Sequence, residues 1–127
     1  MTREEIHTDD APAAQGPYSQ AIATDSLLFC AGQGGLDPAT AKTVEGGVEA
    51  QTEQTIANLK AVLEAGGSSL ADVLKTTCFL ADMDDFAAFN AVYTKYFPAP
   101  QPARTTIAAK QLPLGLLVEI EAIAQRR

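Results

Sequence analysis

Only two segments of this chain carry the periodicity of an amphipathic helix, and they are interspersed among six segments that resemble strands. The first helix is predicted over Val48–Ala65, and Gly66 and Gly67 follow it, as is common at helix C-termini. The second is predicted from Asp84 or Asp85 to Phe97, with acidic residues where the helix dipole favours them. Two helices are too few to cover both faces of such a sheet. The sequence therefore predicts an α+β fold, a two-layer sandwich in which both helices pack on one face of a mixed sheet.

The predicted strands are short and are bounded by residues that favour turns. They are Glu4–His7, Ser19–Ile22, Leu27–Ala31, Val73–Leu80, Arg104–Ala108 and Leu117–Ala124. The glycine-rich segment Gly32–Gly47 is predicted to be a loop. Leu27–Ala31 is apolar throughout, which predicts burial on both of its faces. Since the helices cover only one face of the sheet, we expect a second subunit to cover the other.

Length and charge limit the classes of function. The chain has 127 residues, of which 46% are hydrophobic, so one domain spanning residues 1–127 is expected. The net charge of −7, with only nine Lys and Arg residues, argues against binding to a nucleic-acid backbone. The N-terminus lacks the apolar run of a secretory signal, and no window approaches the roughly 20 apolar residues that span a bilayer. We therefore expect a cytoplasmic protein without a membrane partner.

The side chains that most often bind metals do not form a recognisable ligand motif. Cys30 and Cys78 stand in apolar runs, and their spacing makes neither a redox motif nor a disulfide framework. They are predicted to be reduced core residues. The acidic residues Asp82, Asp84 and Asp85 favour helix capping over metal binding. We therefore predict neither a metal nor a cofactor.

One strand and one arginine are candidates for chemistry. Strict alternation along Val118–Ile123 predicts a half-buried strand with Glu119 and Glu121 on the same face. Arg104 stands fifteen residues before Glu119. These groups could bind a small acid and activate water, or they could be a solvated strand face and an unrelated surface arginine. The residues alone leave both interpretations open.

Six short motifs occur in an order that resembles the RidA family of reactive intermediate deaminases, also called the YjgF family. They are Ala13–Ala21, Ala31–Gln33, Lys75–Thr77, Phe89–Tyr93, Pro102–Arg104 and Val118–Ala124. The resemblance extends from about Ala11 to Arg126. It implies a chorismate-mutase-like fold and a homotrimer whose sheets form a central barrel. It also implies active sites at the interfaces between subunits.

The resemblance further implies an activity, the hydrolysis of short 2-imino or enamine acids to 2-keto acids and ammonia without a cofactor. The implied substrates are 2-iminopropanoate and 2-iminobutanoate. Arg104 corresponds to the arginine that binds the substrate carboxylate, and Glu119 to the acid that orients or deprotonates water. Tyr18 corresponds to the tyrosine that closes the pocket.

Five further residues correspond to the family's substrate-binding positions. They are Ala31, Gly32, Phe89, Asn90 and Thr106. Many deaminases have serine where this chain has Ala31, and often cysteine where it has Thr106, so thiol catalysis at that position is not expected. Two alternatives remain, a family member that binds small carboxylates without turnover and an endoribonuclease. The acidic charge makes the endoribonuclease the less attractive of the two.

Overall fold

A computed structural model describes residues 2–127 and contains one six-stranded sheet and two α-helices. The elements in chain order are β1 (Glu4–Ile6), β2 (Ala21–Ala23), β3 (Leu27–Gly34), α1 (Gly47–Ala65), β4 (Val73–Leu80), α2 (Phe86–Tyr96), β5 (Ala103–Ala108) and β6 (Val118–Gln125). The strand order is β1-β2-β3-β6-β4-β5. Only β4 and β5 pair in parallel; the remaining pairs are antiparallel. The predicted α+β class and the mixed sheet are confirmed.

The two faces of the sheet differ sharply, as the alternation in β6 shows. Val118, Ile120 and Ala122 are buried, whereas Glu119 is half-buried and Glu121 exposed. The buried set faces the helices, and we call the opposite side the open face. Burial of one side chain in two is what a strand with a single covered face produces.

Helix α1 packs over β3 and β6 on the covered face. Its buried Asn58 donates hydrogen bonds to the carbonyl oxygens of Gly34 (3.0 Å) and Leu36 (2.9 Å). At the helix end, Gly66 lies so close to Leu28 that a Cβ there would approach Leu28 Cδ1 to 2.8 Å. These contacts fix both ends of β3 against the helix layer.

Helix α2 begins at Phe86, just after the predicted start, because a 3₁₀ turn over Met83–Asp85 precedes it. The side chain of Asp82 caps this turn, since its Oδ1 accepts a hydrogen bond of 2.8 Å from the Asp84 N–H. An acceptor at this position satisfies one of the free N–H groups at a helix start. Capping therefore accounts for Asp82, whereas the side chain of Asp85 makes no capping hydrogen bond to α2.

The prediction of a loop from Gly32 onward was wrong for its first three residues. β3 continues to Gly34, which pairs with Glu119, and Gln33 pairs with Ile120 after an irregularity that begins at Cys30. The glycines suggested a loop, but both lie within the strand. Glycine is required there because the side chains of Glu119 and Leu116 occupy the space that a Cβ at Gly32 or Gly34 would need.

Two large apolar side chains remain on the open face of a single protomer. Phe29 is 43% exposed and Ile107 is 48% exposed, so Leu27–Ala31 is not buried on both faces within one chain. Within residues 2–127, neither helix is both long enough and apolar enough to cross a membrane.

Candidate active site

Arg104 lies on β5 and turns toward the helix layer. Its guanidinium carbon is 4.8 Å from the centre of the Tyr93 ring and 5.6 Å from the centres of both Phe86 and Phe89. Cations are attracted to the faces of aromatic rings at such distances. The cleft beside it has a volume of about 330 Å³. We call it the arginine half-site; its lining residues are Asn90, Tyr93, Thr94, Gln101, Pro102 and Arg104.

The arginine half-site contains donors and acceptors that lack partners. Within residues 2–127, guanidinium hydrogen bonds are made by Arg126 and Arg127, and none by Arg104. Two buried oxygen atoms, Asn90 Oδ1 and Thr106 Oγ1, also have no hydrogen-bond partner. Buried polar atoms are rarely left unpaired unless a ligand or water completes them. A molecule with a carboxylate for the guanidinium and an N–H group for the amide oxygen would complement this cleft.

Glu119 lies on the open face and lines a second cavity, of about 300 Å³. We call this cavity the glutamate half-site. Its polar wall includes Tyr18 and Gln33, and its apolar wall includes Pro12 and Leu116. A Cβ at Gly32 would lie 2.8 Å from Glu119 Cδ, so the carboxylate rests directly against the backbone of β3. Gly32, which corresponds to a substrate-binding position of the family, leaves room in this structure for the Glu119 side chain.

The surroundings of the Glu119 carboxyl group shift its pKa. Burial raises its pKa above the ordinary value, and the negative charge of Glu121 on the same face raises the pKa further. A carboxyl group with a raised pKa takes up and releases protons closer to neutral pH. Glu121, predicted on the same strand face, therefore acts on Glu119 through its charge.

Tyr18 stands at the mouth of the glutamate half-site with 53% of its surface exposed. Its hydroxyl oxygen accepts a hydrogen bond of 3.1 Å from the Gln15 N–H, which leaves its own O–H free to donate. The buried Gln20 holds the preceding segment, since its Oε1 accepts from the Thr8 N–H and its Nε2 donates to the Pro12 oxygen. Sequence reasoning missed Gln20, although its amide in a turn-rich segment was a usable signal.

The two half-sites lie on opposite faces of the sheet. Thr76 pairs with Arg104 on one side and with Ala122 on the other, so these three side chains share the covered face. Glu119 is three residues from Ala122 in the same regular strand, and therefore points to the open face. Within one protomer, Arg104 and Glu119 line separate cavities.

The predicted site residues divide between these faces. Arg104, Phe89, Asn90 and Thr106 belong to the arginine side, whereas Glu119, Gly32 and Tyr18 belong to the glutamate side. Ala31 lies in the irregular part of β3, where its N–H donates 2.9 Å to the Gln20 oxygen.

Two aromatic neighbours of Arg104, Phe86 and Tyr93, were not among the predicted site residues. The spacing of Phe86, Phe89 and Tyr93 marks one face of a helix, but it does not indicate that an arginine from β5 would cover that face. The side chain of Thr76, on the neighbouring strand, was not singled out at all.

Both thiols are buried and free. Burial raises the pKa of Cys30 to about 12 and that of Cys78 to about 11, so both remain protonated at neutral pH. In residues 2–127, His, Cys, Asp and Glu side chains do not assemble in groups of three or more that could hold a metal ion.

Residues 8–126 match the family model described as endoribonuclease L-PSP. The chain belongs to this family, the RidA/YjgF family. It is 49% identical to a RutC family protein of Pyrococcus horikoshii, over 98% of both chains. It is 47% identical to the 2-iminobutanoate/2-iminopropanoate deaminase of Mus musculus, over 98% of this chain and 92% of the relative. Among solved structures, E. coli TdcF with bound serine superposes with a TM-score of 0.92 at 36% identity, covering 98% of this chain and 99% of TdcF.

Proposed function

We propose that this protein hydrolyses 2-iminopropanoate, 2-iminobutanoate and their enamine tautomers to 2-keto acids and ammonia. The observation that carries the proposal is the guanidinium of Arg104, held over three aromatic rings with no carboxylate partner in residues 2–127. Its planar fork suits bidentate binding of a substrate carboxylate. The deaminase of Mus musculus, 47% identical, supports the reaction class.

The active site in this proposal lies between protomers of a homotrimer. Arg104 and Glu119 point to opposite sides of one sheet, so a substrate that contacts both needs Arg104 from one copy and Glu119 from the next. The exposed Phe29 and Ile107 on the open face supply an apolar surface for such a contact. Packing of three open faces would form the central barrel and bring an arginine half-site against each glutamate half-site.

The reaction needs no redox step. Protonation of the imine nitrogen makes the adjacent carbon electrophilic. Glu119 orients the attacking water and accepts its proton, which gives a tetrahedral carbinolamine. Glu119 then returns that proton to the nitrogen, and the carbon–nitrogen bond breaks as the hydroxyl oxygen forms the C=O bond. The hydroxyl proton passes to Glu119 and from there to the departing ammonia, so the products are a 2-keto acid and ammonium. The raised pKa of Glu119 suits both transfers. The free O–H of Tyr18 holds a water at the mouth of the cavity.

The other contacts follow from the unpaired atoms of the arginine half-site. Asn90 Oδ1 accepts a hydrogen bond from the imine nitrogen, and Thr106 lies beside Arg104 on the same strand face. Phe89 supports the guanidinium from below. On the glutamate side, Gly32 lets the Glu119 carboxylate lie against the β3 backbone at the edge of the cavity, and Ala31 precedes it in the strand.

A family member that only binds small carboxylates would need the arginine half-site alone. The half-buried carboxyl group of Glu119 favours the enzyme, because carboxyl groups whose pKa is raised by burial and a neighbouring charge are concentrated at catalytic sites. The family description makes endoribonuclease activity the third possibility, but the net charge of −7 does not suit an RNA backbone.

The test couples a threonine dehydratase to the purified protein and follows loss of the imine by semicarbazide trapping. Arg104→Ala should abolish acceleration, because it removes a charge-assisted clamp worth about 2–5 kcal/mol. Glu119→Gln should slow turnover while leaving binding of the stable 2-oxobutanoate largely intact. Arg104→Lys is the matched control for charge, and should recover only part of the loss.

Parental rates in both Arg104→Ala and Glu119→Gln would exclude the proposed chemistry. Full binding of 2-oxobutanoate with no imine hydrolysis in the parent would instead identify a binding protein. RNA cleavage that persists in Arg104→Ala would point to a different site or to a contaminant.

A further inference from the structure

The ring closest to Arg104 is itself tied to the sheet. The hydroxyl oxygens of Tyr93 and Thr76 are 2.7 Å apart in a buried hydrogen bond, and Thr76 is fully inaccessible to solvent. On its other side, Tyr93 stacks on Phe97 with ring centres 4.3 Å apart. Tyr93 is thus held both at its hydroxyl and at one face, while Arg104 lies over the ring.

Thr76, Tyr93 and Arg104 are linked pairwise across the helix and sheet layers. Thr76 and Arg104 are paired neighbours on β4 and β5, with side chains on the same face. Thr76 bonds to Tyr93, and the Tyr93 ring lies 4.8 Å from the guanidinium carbon of Arg104. The strand that positions the arginine backbone therefore also fixes the aromatic surface under its guanidinium.

The Tyr93 hydroxyl is not needed for the contact with the arginine itself. Phe86 and Phe89 make the same type of contact at 5.6 Å without a hydroxyl. Burying the Tyr93 hydroxyl is favourable only with a hydrogen-bond partner, and Thr76 supplies one. The hydrogen bond therefore restrains how the Tyr93 ring tilts and slides beneath the guanidinium.

We propose that Thr76 is a positioning residue that acts through Tyr93 to hold the Arg104 fork in the orientation that binds a carboxylate. This rests on the proposed function of Arg104 and adds that the Thr76–Tyr93 hydrogen bond determines part of the affinity of Arg104 for a carboxylate. Arg104 has no hydrogen-bonded anchor of its own in residues 2–127, so the tilt of its aromatic floor governs where its donors point. Bidentate binding is sensitive to that orientation.

The test measures the Kd of 2-oxobutanoate by calorimetry for Thr76→Val, Thr76→Ser and Tyr93→Phe. Valine keeps the shape and removes the hydroxyl, and serine keeps the hydroxyl. Thr76→Val and Tyr93→Phe should each raise Kd by about 2- to 10-fold, the factor expected for one lost hydrogen bond. Thr76→Ser should stay near the parent. The double variant Thr76→Val/Tyr93→Phe should match either single variant, because both remove the same bond.

A kinetic measurement separates positioning from general destabilisation. In the dehydratase-coupled assay, Thr76→Val should raise KM more than it lowers kcat, and the pH dependence set by Glu119 on the opposite face should not move. Parental Kd values in both single variants, or additive losses in the double variant, would overturn the proposal; if Thr76→Val does not fold, Tyr93→Phe decides alone. If Arg104→Ala loses 2-oxobutanoate binding while Thr76→Val keeps the parental Kd, only the positioning role is refuted. Intact binding in Arg104→Ala would refute the proposed function itself.

Discussion

Replacing Gly32 with alanine should slow catalysis about 100-fold while leaving the fold nearly as stable as the parent. The new Cβ would lie 2.8 Å from Glu119 Cδ, and carbon atoms pack at about 3.5–4.0 Å. The carboxylate must therefore move by about 1 Å, a displacement that can cost about 100-fold in rate. That factor corresponds to about 2.7 kcal/mol of transition-state stabilisation.

The cost to folding should be far smaller, because the clashing atoms are the far end of a flexible side chain. Gly32 has no positive φ, so alanine fits the backbone and gains about 0.4–1 kcal/mol by restricting the unfolded chain. We expect the free energy of unfolding to change by less than about 1 kcal/mol.

Gly35→Ala is the matched control. Its Cβ would lie 2.8 Å from the Cα of Gln51, a backbone atom that cannot rotate away. It should lower the free energy of unfolding by about 1–3 kcal/mol in urea titrations. Imine hydrolysis at the parental rate in Gly32→Ala would refute the requirement for the Glu119 carboxylate at its present position.

Three further perturbations test the charges and the buried hydrogen bonds. Glu121→Gln should move the acid limb of the rate profile to lower pH, because removing that charge lets the raised pKa of Glu119 fall; an unmoved limb would show that burial alone sets it. Asp72→Asn should lower stability at pH 7 but not at strongly acidic pH in urea titrations, because hydrogen bonds, chiefly from Arg127, lower the pKa of Asp72 in the folded state. That stabilisation is present above the ordinary aspartate pKa and disappears as the pH falls through the lowered one, so an equal loss at both pH values would contradict it. Asn58→Ala removes both amide hydrogen bonds; the Gly34 oxygen keeps the Leu36 N–H as a donor, but the Leu36 oxygen loses the Asn58 amide. The substitution should cost about 1–3 kcal/mol by urea denaturation, whereas a loss below about 0.5 kcal/mol would show that water replaces the amide.

Strand and helix periodicity predicted most of the fold, because it reports burial directly. The alternation in Val118–Ile123 correctly separated the side chains that face the helices from Glu119 and Glu121. β3 was predicted too short, because glycines in sequence do not distinguish a loop from a strand whose neighbours press against its backbone.

The candidate site could be predicted only in part. The sequence made Arg104 and Glu119 candidates, but their opposite orientations follow from the register of β4 with both β5 and β6, which a single strand does not reveal. The aromatic floor under Arg104 comes from α2, and its tie to Thr76 joins residues from three different elements. Such contacts depend on tertiary packing, and local periodicity carries no signal for them.

The most direct test of a site shared between protomers is complementation between two inactive variants. Arg104→Ala and Glu119→Gln are purified separately, mixed in equal amounts, unfolded and refolded together, and assayed for imine hydrolysis. If each site takes Arg104 from one copy and Glu119 from another, random mixing restores about a quarter of the parental sites. Mixing Arg104→Ala with the double variant Arg104→Ala/Glu119→Gln is the control and should restore none. Absence of recovered activity in oligomers shown by mass spectrometry to contain both variants would contradict the shared site.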